Sequence, residues 1–391
     1  MGMEQGVKAG FAQGLALLLP ATSAVMGILL LVPVAPQMMQ AFADVPGVEF
    51  LVPVLLTLPG LCIALFSPLA GMLGDRLGRK RLLIGAMLVY GLAGMVPMVL
   101  SDIYQILASR LVVGICEALI MTLSTTLIGD LFTGQARERW LSSQTAVASV
   151  SALVFLALGG LLGREGWQAP FAIYGLAWPM ALGVLLLVRE PARVERQVPG
   201  WSALPGRHVL LTSVTTVLAA ILFYTIQINV STVLPGFGVT DPAKIGLFSA
   251  IASIGTPLGS LIFWTVAKRD VRLLLGVEFA LMAAAFLAMA QAPDSTWFIA
   301  SAFVGQVAAG LLLPTLLTWA MSALAFEVRG RGMGIWQSSF AIGQFLSALV
   351  VPALAAATGG TIDAFPVIAA GALVVGLLSL LLLFRSGWRA A

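Results

Sequence analysis

Two charged residues of opposite sign lie within one apolar stretch of this chain. The stretch reads ASRLVVGICEAL, in which the charged residues are Arg110 and Glu117. A charge in the middle of a membrane-spanning helix costs about 2.5–3.5 kcal/mol on insertion scales, so each residue is a candidate for function. Because burial favours the neutral form of a carboxyl group, Glu117 is a candidate for a group that alternately binds and releases a proton.

The spacing of these two residues argues against a direct ion pair. Seven positions place Arg110 and Glu117 on one face of a helix, about 10 Å apart along its axis. Both side chains lean toward the amino end of the helix, so Arg110 points away from Glu117. We expect a water molecule or a neighbouring helix to link them. The alternative for Arg110 is a packing role, in which it holds the first and fourth helices together by hydrogen bonds to carbonyl groups.

Six uncharged residues in the second half of the chain are candidates for a substrate surface. Glutamine amides and aromatic rings that face a cavity at the membrane midplane could hydrogen-bond and stack a neutral or amphipathic ligand. The alternative is that they connect helices, at about 0.6 kcal/mol per hydrogen bond. The six are Tyr224, Gln227, Gln306, Gln337, Phe340 and Gln344.

Two other titratable residues lie in or beside the apolar segments of the second half. We expect Glu278 to pair with Lys268 or Arg272, with proton coupling as the alternative, and the only histidine, His208, to be interfacial and inert. No nucleophile with an adjacent base and no group of metal ligands occurs in these segments. The sequence therefore predicts no enzyme activity, no cofactor and no metal.

The composition places these residues in a membrane. Of the 391 residues, 60% are hydrophobic and only 10% are charged, against about 25% charged residues in soluble domains. Lipid is therefore the predicted solvent for much of the surface. The net charge of +4 does not predict nucleic-acid binding, because the cations are spread over short loops.

Twelve apolar segments are long enough to cross a bilayer, which takes roughly 17–25 residues. Assigning the loops alternately to the two sides leaves three of the 21 Lys and Arg residues off the cytoplasmic side, namely Arg110, Arg164 and Lys244. The positive-inside rule then places both termini in the cytoplasm. We expect the first apolar run to be a retained span and not a cleaved signal peptide. The predicted spans lie near 15–36, 50–71, 82–100, 104–127, 141–163, 168–188, 209–233, 243–266, 272–291, 296–321, 332–355 and 363–385.

Short similarities recur about half a chain apart. Arg81-Leu-Leu-Ile-Gly85 resembles Arg272-Leu-Leu-Leu-Gly276, and Arg137-x-Arg139 resembles Arg329-x-Arg331. Their near-common offset predicts two halves related by a parallel repeat. The predicted fold class is an all-α membrane protein with twelve transmembrane helices in two pseudo-symmetric six-helix bundles. The predicted divisions are an N-terminal bundle at 1–188, a cytoplasmic linker at 189–207 and a C-terminal bundle at 208–391.

The polar segment between the second and third spans reads GMLGDRLGRKRLL, from Gly71 to Leu83. Its pattern G-x-L-x-D-R-x-G-R-K-x-x-L resembles the loop between helices 2 and 3 of the major facilitator superfamily of secondary transporters. The resemblance implies rocker-switch alternating access, with Asp75 facing the amino end of helix 11 near Gly332–Gly334 as a latch on the outward-open state. The alternative is that these charges only set topology. The predicted latch residues are Gly71, Asp75, Arg76, Gly78, Arg79 and Lys80.

Two more motifs of this family occur in part. The helix-4 motif R-x-x-Q-G is matched by Arg110 and Gly114, with Val113 in place of Gln. That arginine is implicated in proton transfer in proton-coupled members, so the resemblance implies the same role for Arg110. The helix-5 motif of drug/proton antiporters, G-x-x-x-G-P-x-x-G-G, survives here only as the last two glycines of SALVFLALGG. The chain thus resembles bacterial drug/proton antiporter-like members, with a departure in helix 5.

These observations predict a secondary transporter that exports a small amphipathic organic compound in exchange for protons, as in multidrug efflux. One alternative is a proton-coupled uptake permease for a small metabolite or an organic anion drawn by Arg110. Another is a membrane sensor that does not transport. The predicted partners are a small-molecule substrate, protons and the lipid bilayer, without nucleic acid, and the predicted state is a monomer. The predicted location is the inner (cytoplasmic) membrane, which the chain crosses many times.

Overall fold

The computed structural model describes residues 10–190, 204–325 and 328–385. Within these ranges the chain is helical, without strands, and twelve segments are long and apolar enough to cross a membrane, as predicted. Most of the predicted linker lies outside the described residues. The segments are α1 Phe11–Ala41, α2 Val48–Leu77, α3 Arg79–Met98, α4 Ile103–Leu131, α5 Gly134–Glu165, α6 Ala169–Leu187, α7 Gly206–Phe237, α8 Pro242–Val266, α9 Val271–Ala290, α10 Ser295–Ser322, α11 Arg331–Thr358 and α12 Thr361–Leu381.

Aspartate residues begin four of these helices. Asp102 accepts hydrogen bonds from the amides of Tyr104 and Gln105, at 2.7 and 3.2 Å, at the start of α4. A carboxylate at this position satisfies amides that have no partner within the helix and favours the positive end of the helix dipole. The other three caps are Asp241 before α8, Asp270 before α9 and Asp294 before α10.

The helix starts follow the repeat that the sequence indicates. Helices α3 and α9 begin at Arg79 and Val271, which are 192 residues apart, and α4 and α10 begin at Ile103 and Ser295, again 192 apart. The helix pair α3–α4 therefore corresponds to the pair α9–α10.

Helix α1 is interrupted along its length. It consists of the α-helical pieces Phe11–Leu18, Ser23–Leu29 and Ala35–Ala41, joined by tighter 3₁₀ turns that contain Pro20 and Pro33. Proline lacks the amide hydrogen of a helix interior and clashes with the carbonyl four residues earlier. The breaks leave backbone carbonyl groups of α1 without their usual helical partners.

The chain contains two compact units. The first holds the described residues of Met1–Leu31, Leu58–Phe155 and Gln168–Arg196. Within it α3 packs against α4 and α6, and the first pieces of α1 contact α4 and α6.

The second unit holds Val32–Thr57, Leu156–Trp167 and the described residues of Gln197–Ala391. Within it α7 packs against α11, α9 packs against α10 and α12, and α8 packs against α10. Glycines bring α8 and α10 into backbone contact, and Ser260 Oγ donates to Gly310 O at 3.0 Å.

Candidate functional site

Glu117 lies in the interior of α4 and is 1% exposed. Its Oε1 atom lies 3.3 Å from the hydroxyl of Tyr90 on α3, and the same hydroxyl lies 3.0 Å from the carbonyl oxygen of Ser23 on α1. Three helices therefore meet at one buried carboxyl group.

Arg110 lies in the same helix and is fully buried. Its Nη1 donates to the hydroxyl of Tyr174 on α6 at 2.6 Å, and its Nη2 donates to the carbonyl of Gly27 on α1. The guanidinium carbon lies 5.3 Å from the centre of the Tyr174 ring. This is the geometry of the packing alternative, in which Arg110 bonds to carbonyl groups of the first helix.

The groups that connect Arg110 to Glu117 lie on neighbouring helices. The rings of Tyr90 and Tyr174 are 5.3 Å apart, so each charged residue contacts one member of an aromatic pair. Gly27 packs directly against the Glu117 carboxyl, and a Cβ atom at this position would overlap Glu117 Oε1. We name Arg110, Glu117, Tyr90, Tyr174 and Gly27 the α4 network.

Sequence reasoning did not find three members of the α4 network. Tyr90 and Tyr174 are two of only four tyrosines in the chain, and both are fully buried. A phenol hydroxyl in the middle of an apolar span needs a partner, and this signal was available from the sequence. Gly27 contributes a carbonyl and an absence of side chain, for which the sequence holds no comparable signal.

The polar segment between α2 and α3 is more compact than a loop. Helix α2 continues to Leu77, α3 begins at Arg79, and only Gly78 separates them, with a φ of 94°. A backbone angle in this region favours glycine. Gly71 lies within α2 and is not part of the turn.

Arg79 connects the ends of α2 and α4. It donates to Asp75 Oδ1 at 2.6 Å and also bonds to Asp130, which the sequence analysis did not single out. Asp75 itself is 62% exposed, and Arg76 is exposed as well. The contact of Asp75 with Gly332–Gly334 stays a prediction.

The amino end of α3 is capped by a residue that follows α6. The amide of Lys80 lies 3.1 Å from Glu190 Oε2, and Lys80 Nζ donates to the carbonyl of Leu185 at 2.8 Å. Glu190 thus takes the place that Asp270 has at the equivalent start of α9, where Asp270 Oδ1 accepts from the amide of Arg272 at 2.8 Å.

Two of the six substrate candidates are bonded to each other. Gln306 Nε2 donates to Gln227 Oε1 at 2.7 Å, Thr256 Oγ1 donates to Gln306 Oε1 at 2.8 Å, and Gln227 Nε2 donates to Ser253 Oγ at 3.1 Å. Gln227 and Gln306 are 6% and 1% exposed. This geometry is that of the alternative, hydrogen bonds that connect α7, α8 and α10.

The other four candidates lie on α7 and α11. The Phe340 ring lies 5.7 Å from Tyr224 and stacks at 6.0 Å on Trp336, which the sequence analysis did not name. Trp336 Nε1 and Gln344 Nε2 are buried donors without an acceptor, whereas Gln337 is exposed. We name Tyr224, Trp336, Phe340 and Gln344 the α7–α11 cluster.

The predicted pairing of Glu278 with Lys268 or Arg272 is wrong. Glu278 is 2% exposed, and its Oε1 lies 2.6 Å from the hydroxyl of Thr315 on α10. Arg272 precedes Glu278 by six residues, which puts it about 9 Å away along α9 and on another face of the helix. Its Nε lies 4.0 Å from Asp270 Oδ1.

An exposed ion pair joins the end of α5 to the start of α8. Arg164 Nη2 donates to Asp241 Oδ2 at 2.7 Å, and this hydrogen bond holds the pKa of the Asp241 carboxyl below its ordinary value. The two helices approach closely beside this pair, because a Cβ atom at Gly160 would lie 2.5 Å from the carbonyl oxygen of Pro242. Both features belong to the second compact unit.

The described residues hold no group of three His, Cys, Asp or Glu side chains arranged as metal ligands. Cys62 and Cys116 are buried free thiols.

Comparison with known proteins identifies a matching family and several relatives of this chain. The sequence model of the Major Facilitator Superfamily matches residues 17–242. The chain is similar to the class E tetracycline resistance protein of Escherichia coli, with 31% identity over 168 residues, which cover 41% of this chain and 40% of that protein. It is similar to Multidrug resistance protein 1 of Bacillus subtilis (strain 168), with 28% identity over 179 residues, 44% of this chain and 43% of that protein. These alignments span about two-fifths of the length of the curated relatives.

Among solved structures, the fold is similar to a bacterial homologue of the human lysosomal transporter Spinster in an inward-facing, unoccupied conformation. The TM-score is 0.82, the identity is 17%, and the match covers 97% of this chain and 98% of that one. A D-xylose–proton symporter matches with a TM-score of 0.77 at 14% identity, over 94% of this chain and 97% of that one. At these identities the likeness concerns the fold alone.

Proposed function

This chain belongs to the Major Facilitator Superfamily, and from this premise we propose that it exports a small amphipathic organic compound in exchange for protons. It is a multi-pass membrane transporter with twelve spans, and its relatives include efflux proteins. Export is favoured by the efflux proteins among these relatives, which also include a bacillibactin exporter of Bacillus subtilis (strain 168). Proton coupling is favoured by the α4 network.

The observation that carries the proposal is the hydrogen bonding of Glu117. The Tyr90 hydroxyl has one proton but lies within bonding distance of two acceptors, Ser23 O at 3.0 Å and Glu117 Oε1 at 3.3 Å. If Glu117 is protonated, it donates to Tyr90 and Tyr90 donates to Ser23, so both contacts are satisfied. A neutral carboxyl also avoids the cost of an isolated charge in an apolar interior. Glu117 holds a proton in this arrangement.

Arg110 favours the ionised form of Glu117. A guanidinium group carries its charge permanently, and an opposite charge within about 4–6 Å stabilises an ionised carboxylate. A shift of α3 that removes Tyr90 from Glu117, together with a change of the Glu117 side-chain rotamer toward Arg110 on the same helix, would release the proton. Alternation between these two environments is the proposed coupling step.

The α7–α11 cluster is the proposed substrate surface. It offers stacked rings and two buried donors, Trp336 Nε1 and Gln344 Nε2, without an acceptor. An unpaired buried donor costs about 1–3 kcal/mol, and a ligand with carbonyl or ether acceptors would remove that cost. Gln227 and Gln306, which are already bonded to each other, stay in the proposal as positioning groups, and the exposed Gln337 as a rim contact.

The segment between α2 and α3 is the proposed conformational latch. Arg79 ties Asp75 at the end of α2 to Asp130 at the end of α4, and Lys80 ties the start of α3 to the end of α6. These bonds hold four helix ends in one block, and Gly78 supplies its turn. We propose that this block moves as a unit and that the protein works as a monomer in the inner membrane, with both termini in the cytoplasm.

Uptake of an organic anion drawn by Arg110 is less well supported. The Arg110 guanidinium is fully buried and donates to Tyr174 Oη and to Gly27 O. An anion would have to replace these partners, each of which already satisfies a charged donor.

Purified protein in liposomes that contain a pH dye tests the proposal. Lipophilic cations, neutral polycyclic compounds and organic acids are added outside to wild type, to Glu117→Gln and to Glu138→Gln, the same change at an exposed position of α5. We expect substrate-driven proton movement in wild type and Glu138→Gln and a loss of about 100-fold or more in Glu117→Gln. The sign of the movement separates antiport from symport. Undiminished movement in Glu117→Gln would exclude Glu117 as the carrier.

A further inference from the structure

The second compact unit contains another buried carboxyl group, that of Glu278 in α9. Oε1 lies 2.6 Å from Thr315 Oγ1, and Oε2 is buried without a hydrogen-bond partner. Glu278 and Thr315 are 2% and 0% exposed. The function proposed above uses neither residue.

The hydrogen bonds of the Thr315 hydroxyl indicate whether Glu278 is protonated. It has one proton and two neighbouring acceptors, the carbonyl of Leu311 at 3.0 Å and Glu278 Oε1 at 2.6 Å. An ionised Glu278 would compete with Leu311 for that proton and would leave a charged oxygen, Oε2, without any donor. A protonated Glu278 donates to Thr315, and Thr315 donates to Leu311, so every proton has an acceptor. The only unsatisfied atom is then a neutral carbonyl oxygen.

Among the described residues, the helix neighbours of Glu278 on α9 and the whole of α10 offer no charge that would stabilise a carboxylate. The neighbours of Glu278 on its own helix, Leu275, Phe279 and Met282, are fully buried in the apolar core. The sequence of α10, which packs on α9, contains no Asp, Glu, Lys, Arg, His or Tyr. An isolated carboxylate in such a medium takes up a proton instead of remaining charged.

The charged groups of the remaining elements lie at the helix ends. On α9 the other charged side chain is Arg272, whose Nε lies 4.0 Å from Asp270 Oδ1. On α12, within Thr361–Leu381, the charged side chain is that of Asp363 in the first turn. Because Gly376 packs against Phe279, Glu278 is level with the later part of α12, about 20 Å along that helix from Asp363.

We propose that Glu278 and Thr315 form a second proton-binding site of this transporter, in which Glu278 carries the proton and Thr315 positions it. The site lies in the helix pair that corresponds to the pair of Glu117, although not at the corresponding positions, which are Met282 for Tyr90 and Ala309 for Glu117. In the pair α3–α4, Tyr90 of the first helix meets Glu117 of the second, and in the equivalent pair α9–α10, Glu278 of the first helix meets Thr315 of the second. The same helix seam carries a hydroxyl–carboxyl contact in each half, with the acid on opposite partners.

Infrared spectroscopy of the purified full-length protein tests the site without a substrate. The carbonyl stretch of a protonated carboxyl group is recorded at pH 7 for wild type, Glu278→Gln and Glu117→Gln. We expect Glu278→Gln to lose one protonated-carboxyl band that Glu117→Gln retains. Identical band intensity in wild type and in folded Glu278→Gln would overturn the proposal.

Two further variants keep the test decisive. Thr315→Val keeps the shape of the side chain but removes the hydroxyl, and we expect it to shift the Glu278 band without removing it. An unshifted band would overturn the positioning role of Thr315. If Glu278→Gln does not fold, Glu278→Asp replaces it and must show a shifted protonated band, and its absence would overturn the site. Failure of the transport experiment with Glu117 leaves these results unchanged, because no transport is measured.

Discussion

The two buried carboxyl groups occupy equivalent helix pairs but have different electrostatic surroundings. Glu117 shares its network with the guanidinium of Arg110, whereas Glu278 contacts Thr315 within an apolar core. The first environment can stabilise either protonation state after a small movement, and the second favours only the neutral state. Burial alone therefore does not make a carboxyl group a proton carrier, because proton exchange also needs a nearby charge that stabilises the ionised form. We therefore expect Glu117 to exchange its proton during transport and Glu278 to hold its proton more firmly.

Removal of the Arg110 cation should have the largest effect on proton exchange at Glu117. Arg110→Met takes away the charge that would stabilise ionised Glu117. It also leaves Tyr174 Oη without a donor, at about 1–3 kcal/mol, and leaves Gly27 O with only the 3.4 Å hydrogen bond from the Tyr174 hydroxyl. We expect substrate-driven proton exchange to fall about 100-fold and the melting temperature to fall as well. Arg139→Met, at an exposed position of α5, is the control and should retain both. Equal exchange rates in the two variants would remove Arg110 from the coupling step.

A side chain at Gly27 should have the next largest effect. A Cβ atom there would overlap Glu117 Oε1, so Gly27→Ala must displace the carboxyl from Tyr90, at about 1–3 kcal/mol. We expect about tenfold slower proton exchange in liposomes. Gly371→Ala is the matched control, because nothing lies within 4 Å of a Cβ at that position. Wild-type exchange in Gly27→Ala would show that contact with Tyr90 is dispensable.

Loss of the hydroxyl group beside either buried carboxyl should have a smaller effect on proton exchange, and the effect should differ between the two sites. Tyr90→Phe and Thr315→Val each remove one hydroxyl with its bonds to a carboxyl group and to a backbone carbonyl, and the bond to the carboxyl group is worth about 1 kcal/mol. Thermal melting should report similar losses for both. Proton exchange should fall about fivefold in Tyr90→Phe, in line with that energy, and less in Thr315→Val. A larger exchange defect in Thr315→Val would reverse the assignment of the two roles.

The exposed pair Arg164–Asp241 gives a reference for a charge pair in water and should show the smallest effect. Because the hydrogen bond from Arg164 lowers the pKa of Asp241, the pair stabilises the fold above the ordinary aspartate pKa of about 3.9. That contribution is lost as the pH falls through the lower pKa of the folded protein. Asp241→Asn keeps the cap of α8 and should flatten the decline of the melting temperature between pH 5 and 3. Arg164→Gln should flatten it equally, and unequal slopes would contradict the pairing.

The sequence predicted the elements of this fold well, because span length and apolar composition are local properties. The twelve spans of the described residues and a buried Glu117 both follow from residues near each other in the chain. Partners across helices did not follow from the sequence. Asp130 lies 51 positions after Arg79, and Tyr174 lies 64 after Arg110, so only the packing of α3, α4 and α6 reveals them.

Two sequence predictions about polar side chains differ from the structure for clear physical reasons. Glu278 was assigned to nearby cations by sequence distance, although six residues along a helix place side chains on different faces. Gln227 and Gln306 satisfy each other across α7 and α10, and a pattern within one helix cannot show whether an amide faces a ligand or a neighbouring helix.

The interruption of α1 has a consequence for how polarity is distributed in this protein. The piece Ser23–Leu29 ends before Pro33, and the amide of Leu31 donates to Ile28 O at 3.1 Å, so the carbonyl of Gly27 is available to Arg110. Residues 24–29, whose side chains are all apolar, thereby offer a hydrogen-bond acceptor to a buried cation. A search for functional residues that considers only polar side chains would miss Gly27. A regular helix through Leu31 would direct the Leu31 amide to Gly27 O, and this would compete with the arginine without altering any charged residue.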